Sequence, residues 1–299
     1  MAIDEELDRK NRAVVQQSWA ELNPYNNIEP THPKSLIDIL DDFFVNCVDK
    51  YPDLFLVKCG ALGKLTRCRE GVYEREADVL PPPLDIAKAK NIVNRWNPPG
   101  RRYLYAAHSW CNPDVSNLTE NEYTCFQEMR AKKGASYTFA DFEIKAGTEN
   151  KYVINMDYTG LGQSDIEAYY DWVLHNQAQT IAHVLIEAGI IPSKEQLMPI
   201  IQKGTRELAV GYIGRLFLLP ICQTIFTAID DDKCPDGEER EKAYKSFHIL
   251  AEYLEKKSIA GVIYPSTRTA LQDTHTQNIV CFNAEDFSVV SGSLRTLIY

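Results

Sequence analysis

The chain lacks the spacings that announce the commonest cofactor sites. Its eight cysteines and six histidines form no Cys-x-x-Cys pair, no His-Glu-x-x-His run and no other zinc-ligand spacing. A Gly-x-Gly-x-x-Gly fingerprint and a Walker loop are also missing, which removes the support for a Rossmann or NTPase reading. The longest uncharged apolar run, 216–229, has 14 residues and contains Pro220. A membrane-spanning helix needs roughly 18 or more. The opening Met1-Ala-Ile-Asp-Glu-Glu is charged and unlike a secretory signal, so a soluble, cytoplasmic chain without a membrane partner is expected. Basic excess is absent too. The net charge is −10, the pI is near 5.2 and no basic-aromatic stripe occurs, so nucleic acid is not an expected partner.

What is present is the composition of an ordinary globular protein, 44% apolar and 25% charged, long enough at 299 residues to bury a substantial core. Cysteines such as Cys222 and Cys281 lie in apolar segments, where a free thiol behaves as a small hydrophobe. A reducing compartment and no metal site are expected.

Residues 1–60 read as a helical extension, with Ser35–Val45 patterned as a helix behind Thr31-His-Pro33. From about Leu62 to Tyr158 the texture becomes β-like, with candidate strands at Leu62–Cys68, Arg102–Ala107, Thr138–Ile144 and Tyr152–Asp157. A short helix is expected at Asp85–Val93, after Pro81-Pro-Pro83. Residues 163–257 read as a helical block, opened by the capping box Ser164-Asp-Ile-Glu167 and ending in a helix from Glu238 to Lys257. Strands return at Gly261–Tyr264, Asn278–Phe282 and Ser288–Ile298. The class is α+β, with residues 61–299 as one domain and the block 163–257 inserted before its final strands.

One stretch carries most of the functional information. In Asn94-Arg-Trp-Asn-Pro-Pro-Gly-Arg-Arg-Tyr-Leu-Tyr105, a rigid Pro-Pro-Gly turn runs into an aromatic strand. Arg95 is thereby fixed at the mouth of a sheet, where a guanidinium can fork onto phosphate or carboxylate at little ordering cost. Downstream lie Thr124-Cys-Phe-Gln-Glu128-Met-Arg130 and Tyr264-Pro-Ser266.

Taken in this order, Arg95-Trp-Asn-Pro-Pro-Gly100 with Tyr105, Thr124-x-x-x-Glu128-x-Arg130 and Tyr264-Pro-Ser266 resemble the RES-domain family. That family is named for its arginine, glutamate and serine, and includes bacterial toxins that consume NAD⁺. The likeness runs from about Lys64 to Phe282 and covers 163–240 only loosely. It implies a split β-core like that of ADP-ribosyltransferases, with NAD⁺ as substrate and no separate cofactor. Asn94 stands where the family usually has glycine; Asn tolerates positive φ, so the turn can survive.

The resemblance also implies roles. Cleaving the nicotinamide–ribose bond passes through an oxocarbenium-like state, and a carboxylate beside the ribose can stabilise it. Glu128 is assigned that work, against the plainer alternative of a solvated helix-face glutamate. Arg95 would clamp the pyrophosphate, or else only tie down its turn. An early strand arginine is expected in the family. Arg67 is taken to face the cleft and Arg69 to point away, with two surface arginines as the alternative. Tyr105 would hold the nicotinamide or simply be a core aromatic. Ser266 would hydrogen-bond ribose or phosphate. His108 is left outside the site.

The implied activity is NAD⁺ glycohydrolase or phosphorylase, in a toxin or defence effector. Mono-ADP-ribosylation of a protein is the first alternative, and a non-enzymatic binding module using the helical block the second. The loop Cys111–Tyr123 is longer than the family's usual spacing. Three roles are open to the first sixty residues and the helical block: gating the cleft, binding a protein inhibitor (an antitoxin) or substrate protein, or building a homo-oligomer.

Overall fold

A computed structural model describes residues 33–83, 85, 94–98, 100–115, 117–157, 238–270 and 274–299, with isolated positions between 189 and 218. Residues 86–93 of the helix expected at Asp85–Val93, and the helical segments expected across 163–237 except at those isolated positions, lie outside the described residues.

In chain order the elements are helix α1 (Pro33–Phe43), strands β1 (Leu56–Lys58), β2 (Lys64–Glu70), β3 (Leu104–Ser109), β4 (Asp114–Val115) and β5 (Leu118–Thr119), then helix α2 (Glu120–Glu128). They continue with β6 (Ser136–Ile144), β7 (Tyr152–Asn155), α3 (Glu238–Lys256), β8 (Ile259–Pro265), the single turn α4 (Thr267–Ala270), β9 (Gln277–Cys281), β10 (Phe287–Val289) and β11 (Arg295–Ile298). Among the described residues, Asp38–Phe55 and the isolated positions between 189 and 218 belong to one compact unit, and 33–37, Leu56–Asp157 and 238–299 to another. Helix α1 runs into a π-helical turn at Phe44–Val48, and within the first unit Phe43 meets Phe55 edge-on with ring centroids 5.1 Å apart. Leu36, Ile39, Leu40 and Phe43 are buried at the i, i+3, i+4, i+7 spacing of an apolar helix stripe.

The second unit is built on one mixed sheet in the order β1-β7-β8-β9-β3-β2-β6-β10, with β11 also paired to β6. Every pairing is antiparallel except that of β7 with β8. The chain is therefore a mixed α/β protein with a large mixed sheet. Period-two alternation gives the sheet two apolar faces. Leu65, Ala106, Phe142, Ile263 and Ile279 share one core cluster; Cys68, Ala107 and Phe139 share another with Cys125 and Phe126 of α2.

Three expectations are corrected here. Leu56–Lys58, inside the stretch read as helical, is a strand: Leu56 and Val57 pair with Ile154 and Val153. The strand expected at Ser288–Ile298 is two, β10 and β11, separated by a turn in which Gly292 has φ 75°. The strand expected at Arg102–Ala107 begins two residues later, where the ladder with β9 starts at Leu104 opposite Cys281, while the Arg102 side chain binds the carbonyl oxygens of Pro81 and Pro82 and the carboxylate of Glu285.

The pairing between β2 and β3 is short. It covers only Lys64–Thr66 against Ser109–Ala107. Past that point β2 continues on β6 to Glu70, and β3 continues on β9 to Leu104. The sheet thus opens between two strands that each keep their other neighbour.

Candidate active site

A cavity of about 340 Å³ lies at this opening, lined among others by Arg67, Asn94, Tyr105, Glu128, Tyr264 and Asn278. Each of these is delivered by a different local device.

Glu128 is the last residue of α2. Thr119 caps the start of that helix: its hydroxyl accepts from the Glu122 N–H, while the Glu122 carboxylate accepts from the Thr119 N–H at 2.9 Å, a reciprocal capping box. The preceding Cys111–Tyr123 loop, expected to be long, folds as the β4–β5 hairpin and the first turn of this helix. At the other end Arg130 takes φ 50°, with Ala131 N–H bonded to Phe126 O at 3.0 Å and Arg130 N–H to Gln127 O at 3.1 Å. That is a Schellman stop, which breaks the helix just past Glu128. A carboxylate at a helix C-terminus faces the negative end of the dipole, so it needs donors from elsewhere. Two converge on one oxygen: the Ser266 hydroxyl and the Asn278 amide each donate to Glu128 Oε1 at 2.7 Å. Among the described residues nothing donates to Oε2.

Ser266 is buried at the end of β8, where its Oγ also accepts from the Thr269 N–H at 3.2 Å. That bond aims the hydroxyl proton at Glu128. Ser266 is not among the cavity-lining residues; it reaches the cavity only through Glu128. Asn278 does line it, from β9, directly across from Tyr264 of β8.

Arg67 sits on β2 one residue past the last pairing with β3. Its Nε donates to Val79 O at 3.0 Å and its Nη1 to Tyr105 O at 3.1 Å, so it bridges the opening. Desolvation, then the neighbouring Arg69, lowers its pKa, although two carbonyl oxygens already face it. Two of its five N–H groups are used in this way, which leaves donors for an anion. The expectation that Arg67 and Arg69 point opposite ways is corrected. Residues two apart on a strand share a face, and both reach toward 78–79, Arg69 binding the Asp78 carbonyl. What distinguishes them is the split, because Arg67 lines the cavity and Arg69 does not.

Tyr105 has its ring in the cavity wall and its hydroxyl turned to the preceding turn. The oxygen accepts from the N–H groups of Trp96 at 3.0 Å and Asn97 at 3.2 Å, and donates to Asn97 Oδ1 at 2.5 Å. The Arg-Trp-Asn-Pro-Pro-Gly turn is thereby tied to its own strand, with Gly100 at φ 80°. Asn94 does not need the positive φ allowed for it. Arg95 is not a lining residue; its guanidinium lies over the Phe247 ring of α3, 5.7 Å from the centroid. Its charge still reaches the site, lowering the pKa of both the Tyr105 and Tyr264 hydroxyls. Burial outweighs this and pushes both phenols well up, and at Tyr264 the Glu128 charge adds to it, so both stay protonated donors near neutrality.

Asn278 and Tyr264 were not singled out from the sequence. Tyr264 stood in the quoted motif without a role. The signal for Asn278 was a lone amide in the apolar run Asn278–Phe282, on a strand that pairs beside the Tyr264-Pro-Ser266 element. His108, left out of the site, is not a lining residue, although Ala107 beside it is. It is fully buried, with Nδ1 3.0 Å from Gln277 Oε1. Among the described residues no group of three or more His, Cys, Asp or Glu is placed to hold a metal, and no helix is long and apolar enough to cross a membrane.

No family model matches the chain, and no curated protein does. Among solved structures the chain is similar to one in the crystal structure of the M. tuberculosis MbcT–MbcA toxin–antitoxin complex. The two share 10% identity over 84% of this chain and 91% of that one, with a TM-score of 0.34. That likeness is too distant to assign an activity, so function is argued from the cavity.

Proposed function

We propose that the protein is an NAD⁺-consuming enzyme that cleaves the nicotinamide–ribose bond, with Glu128 as the carboxylate beside the ribose. The observation that carries this reading is the fixed Glu128 carboxylate, anchored through Oε1 with no donor to Oε2 among the described residues, in the same cavity as a desolvated arginine at the sheet opening. Such a pair suits a substrate that is anionic at one end and develops positive charge at the other.

Glycosidic cleavage moves the bonding electron pair onto nicotinamide, which leaves neutral, and charge builds on the ribose C1′ and ring oxygen. A carboxylate already oriented and partly desolvated stabilises that charge without reorganising. Arg67 supplies the remaining N–H donors to phosphate, with Arg95 adding positive potential from the turn. Tyr105 and Tyr264 wall the cavity with aromatic faces, and aromatic faces favour a cationic ring such as bound nicotinamide. Ser266 acts through Glu128 rather than by touching ribose.

The acceptor is water, phosphate or a protein side chain, and each leaves a different product. Incubation of the purified chain with NAD⁺, with and without inorganic phosphate, followed by chromatography, tests the reading. Free nicotinamide with ADP-ribose indicates hydrolysis, and a phosphate-dependent ribosyl phosphate indicates phosphorolysis. Intact NAD⁺ under both conditions, and in the presence of cell extract as a source of acceptor protein, would sink the proposal.

A further inference from the structure

We propose that Asn278 is a positioning residue for Glu128, one that sets which carboxylate oxygen faces the cavity. The inference rests on the reading of Glu128 as the carboxylate that acts on the ribose. It goes further by assigning a task to a residue outside the arginine, glutamate and serine elements.

Three observations carry it. Glu128 ends α2 immediately before a Schellman stop, and the donors to its carboxylate, Ser266 and Asn278, come from outside that helix and the residues that follow it. The Asn278 amide reaches Oε1 at 2.7 Å from a buried position on β9, a strand paired on both sides, with β3 and with β8. The second donor, Ser266, directly follows β8, whose Tyr264 and Pro265 face Asn278 and Gln277, and its own N–H donates to the Thr276 carbonyl just before β9 at 2.8 Å. Both donors therefore move as one rigid piece of sheet, while Glu128 arrives from a different element. Two bonds to the same oxygen from one rigid body fix both the position and the roll of the carboxylate. With Oε1 held, Oε2 is the oxygen presented to the ligand.

An amide is suited to this task. It is neutral, so it does not compensate the carboxylate as a lysine or arginine would, and the negative charge remains available to a developing cation. Aspartate at 278 would have nearly the same shape but would offer an acceptor where a donor is needed.

The test compares wild type, Asn278→Ala and Asn278→Asp in steady-state nicotinamide release, with crystal structures of wild type and the folded variants. Loss of a hydrogen bond to a charged group lowers kcat by about 10- to 100-fold. The aspartate variant falls further than alanine. KM stays within about twofold of wild type, because the residue acts through Glu128 and not on NAD⁺. In the variant crystals the Glu128 carboxylate is turned away from its wild-type orientation. A kcat within twofold of wild type, or a loss confined to KM, overturns the assignment. Should the wild type release no nicotinamide, the cleavage reading fails by itself, and the crystals decide the positioning claim: a turned carboxylate upholds it and an unmoved one rejects it. If the aspartate variant does not fold, the alanine variant, which adds no charge, decides in its place.

Discussion

Arg67 Nη1 donates to the carbonyl oxygen of Tyr105 across the point where β2 and β3 part, at 3.1 Å. The bond ties together two strands that have lost their ladder, and it keeps a guanidinium at the cavity wall. Lysine cannot make the same bridge, since Nε and Nη1 reach two carbonyl oxygens in different segments. Arg67→Lys is expected to raise the KM for NAD⁺ about tenfold or more, the scale of a lost charge-assisted hydrogen bond, with a lowered melting temperature. Kinetics and thermal denaturation of the one variant check both. An unchanged KM would remove Arg67 from the binding site.

Tyr105 carries two separable functions, a ring in the cavity wall and a hydroxyl that anchors residues 96 and 97. Tyr105→Phe keeps the ring and strands two backbone N–H groups. It should cost about 1–3 kcal/mol of stability in urea denaturation and reduce cleavage without abolishing it. Tyr105→Ala should reduce cleavage further. Equal activity in the two variants would mean that the ring contributes nothing to substrate.

Gly261 of β8 lies against β9 so closely that an added Cβ would fall on the Val280 carbonyl oxygen and press on the Cys281 backbone. Gly261→Ala must push β8 from β9, the pair that carries Ser266 and Asn278. A loss of about 1–3 kcal/mol is expected from such overpacking, together with a fall in kcat. Stability and kcat both at wild-type values would show that the β8–β9 spacing does not govern Glu128.

Two histidines give opposite pH dependences. The hydrogen bond to Asp157 raises the His275 pKa, so its contribution is fully present below its unfolded value of about 6.5 and is lost as pH rises through the folded value. Burial lowers the His108 pKa, so His108 penalises the fold as pH falls below about 6.5, down to its folded value. Urea denaturation from pH 5 to 8.5 separates them. His275→Gln should differ most from wild type at the acid end and converge at the alkaline end, and His108→Gln should flatten the acid loss. Parallel curves for all three proteins would contradict both assignments.

Much of the architecture was legible in the sequence because it follows local periodicity. The 3.6 period of Glu238–Lys256 and the β character of Lys64–Glu70 and Ser136–Ile144 are properties of the segments themselves. Leu56–Lys58 was not legible: three residues carry no period, and their strand exists only because β7 offers an edge. The same limit applies at the site. Arg67, Tyr105 and Glu128 are the residues to which the RES-domain resemblance points, and all three line the cavity. What the residues do with their polar atoms depended on partners distant in sequence. Ser266 is turned to a carboxylate 138 positions away, and Asn278 to the same carboxylate 150 positions away. No spacing rule reaches that far; only the β8–β9 register brings the two donors together.

Action of the Glu128 carboxylate on the nicotinamide–ribose bond is tested most directly by the rate of nicotinamide release by Glu128→Gln, measured beside NAD⁺ binding to the same variant by calorimetry. The expected result is a fall of about 100- to 1000-fold in rate with binding retained, as for loss of a preorganised electrostatic group. Release at the wild-type rate by a variant that still binds NAD⁺ would contradict it.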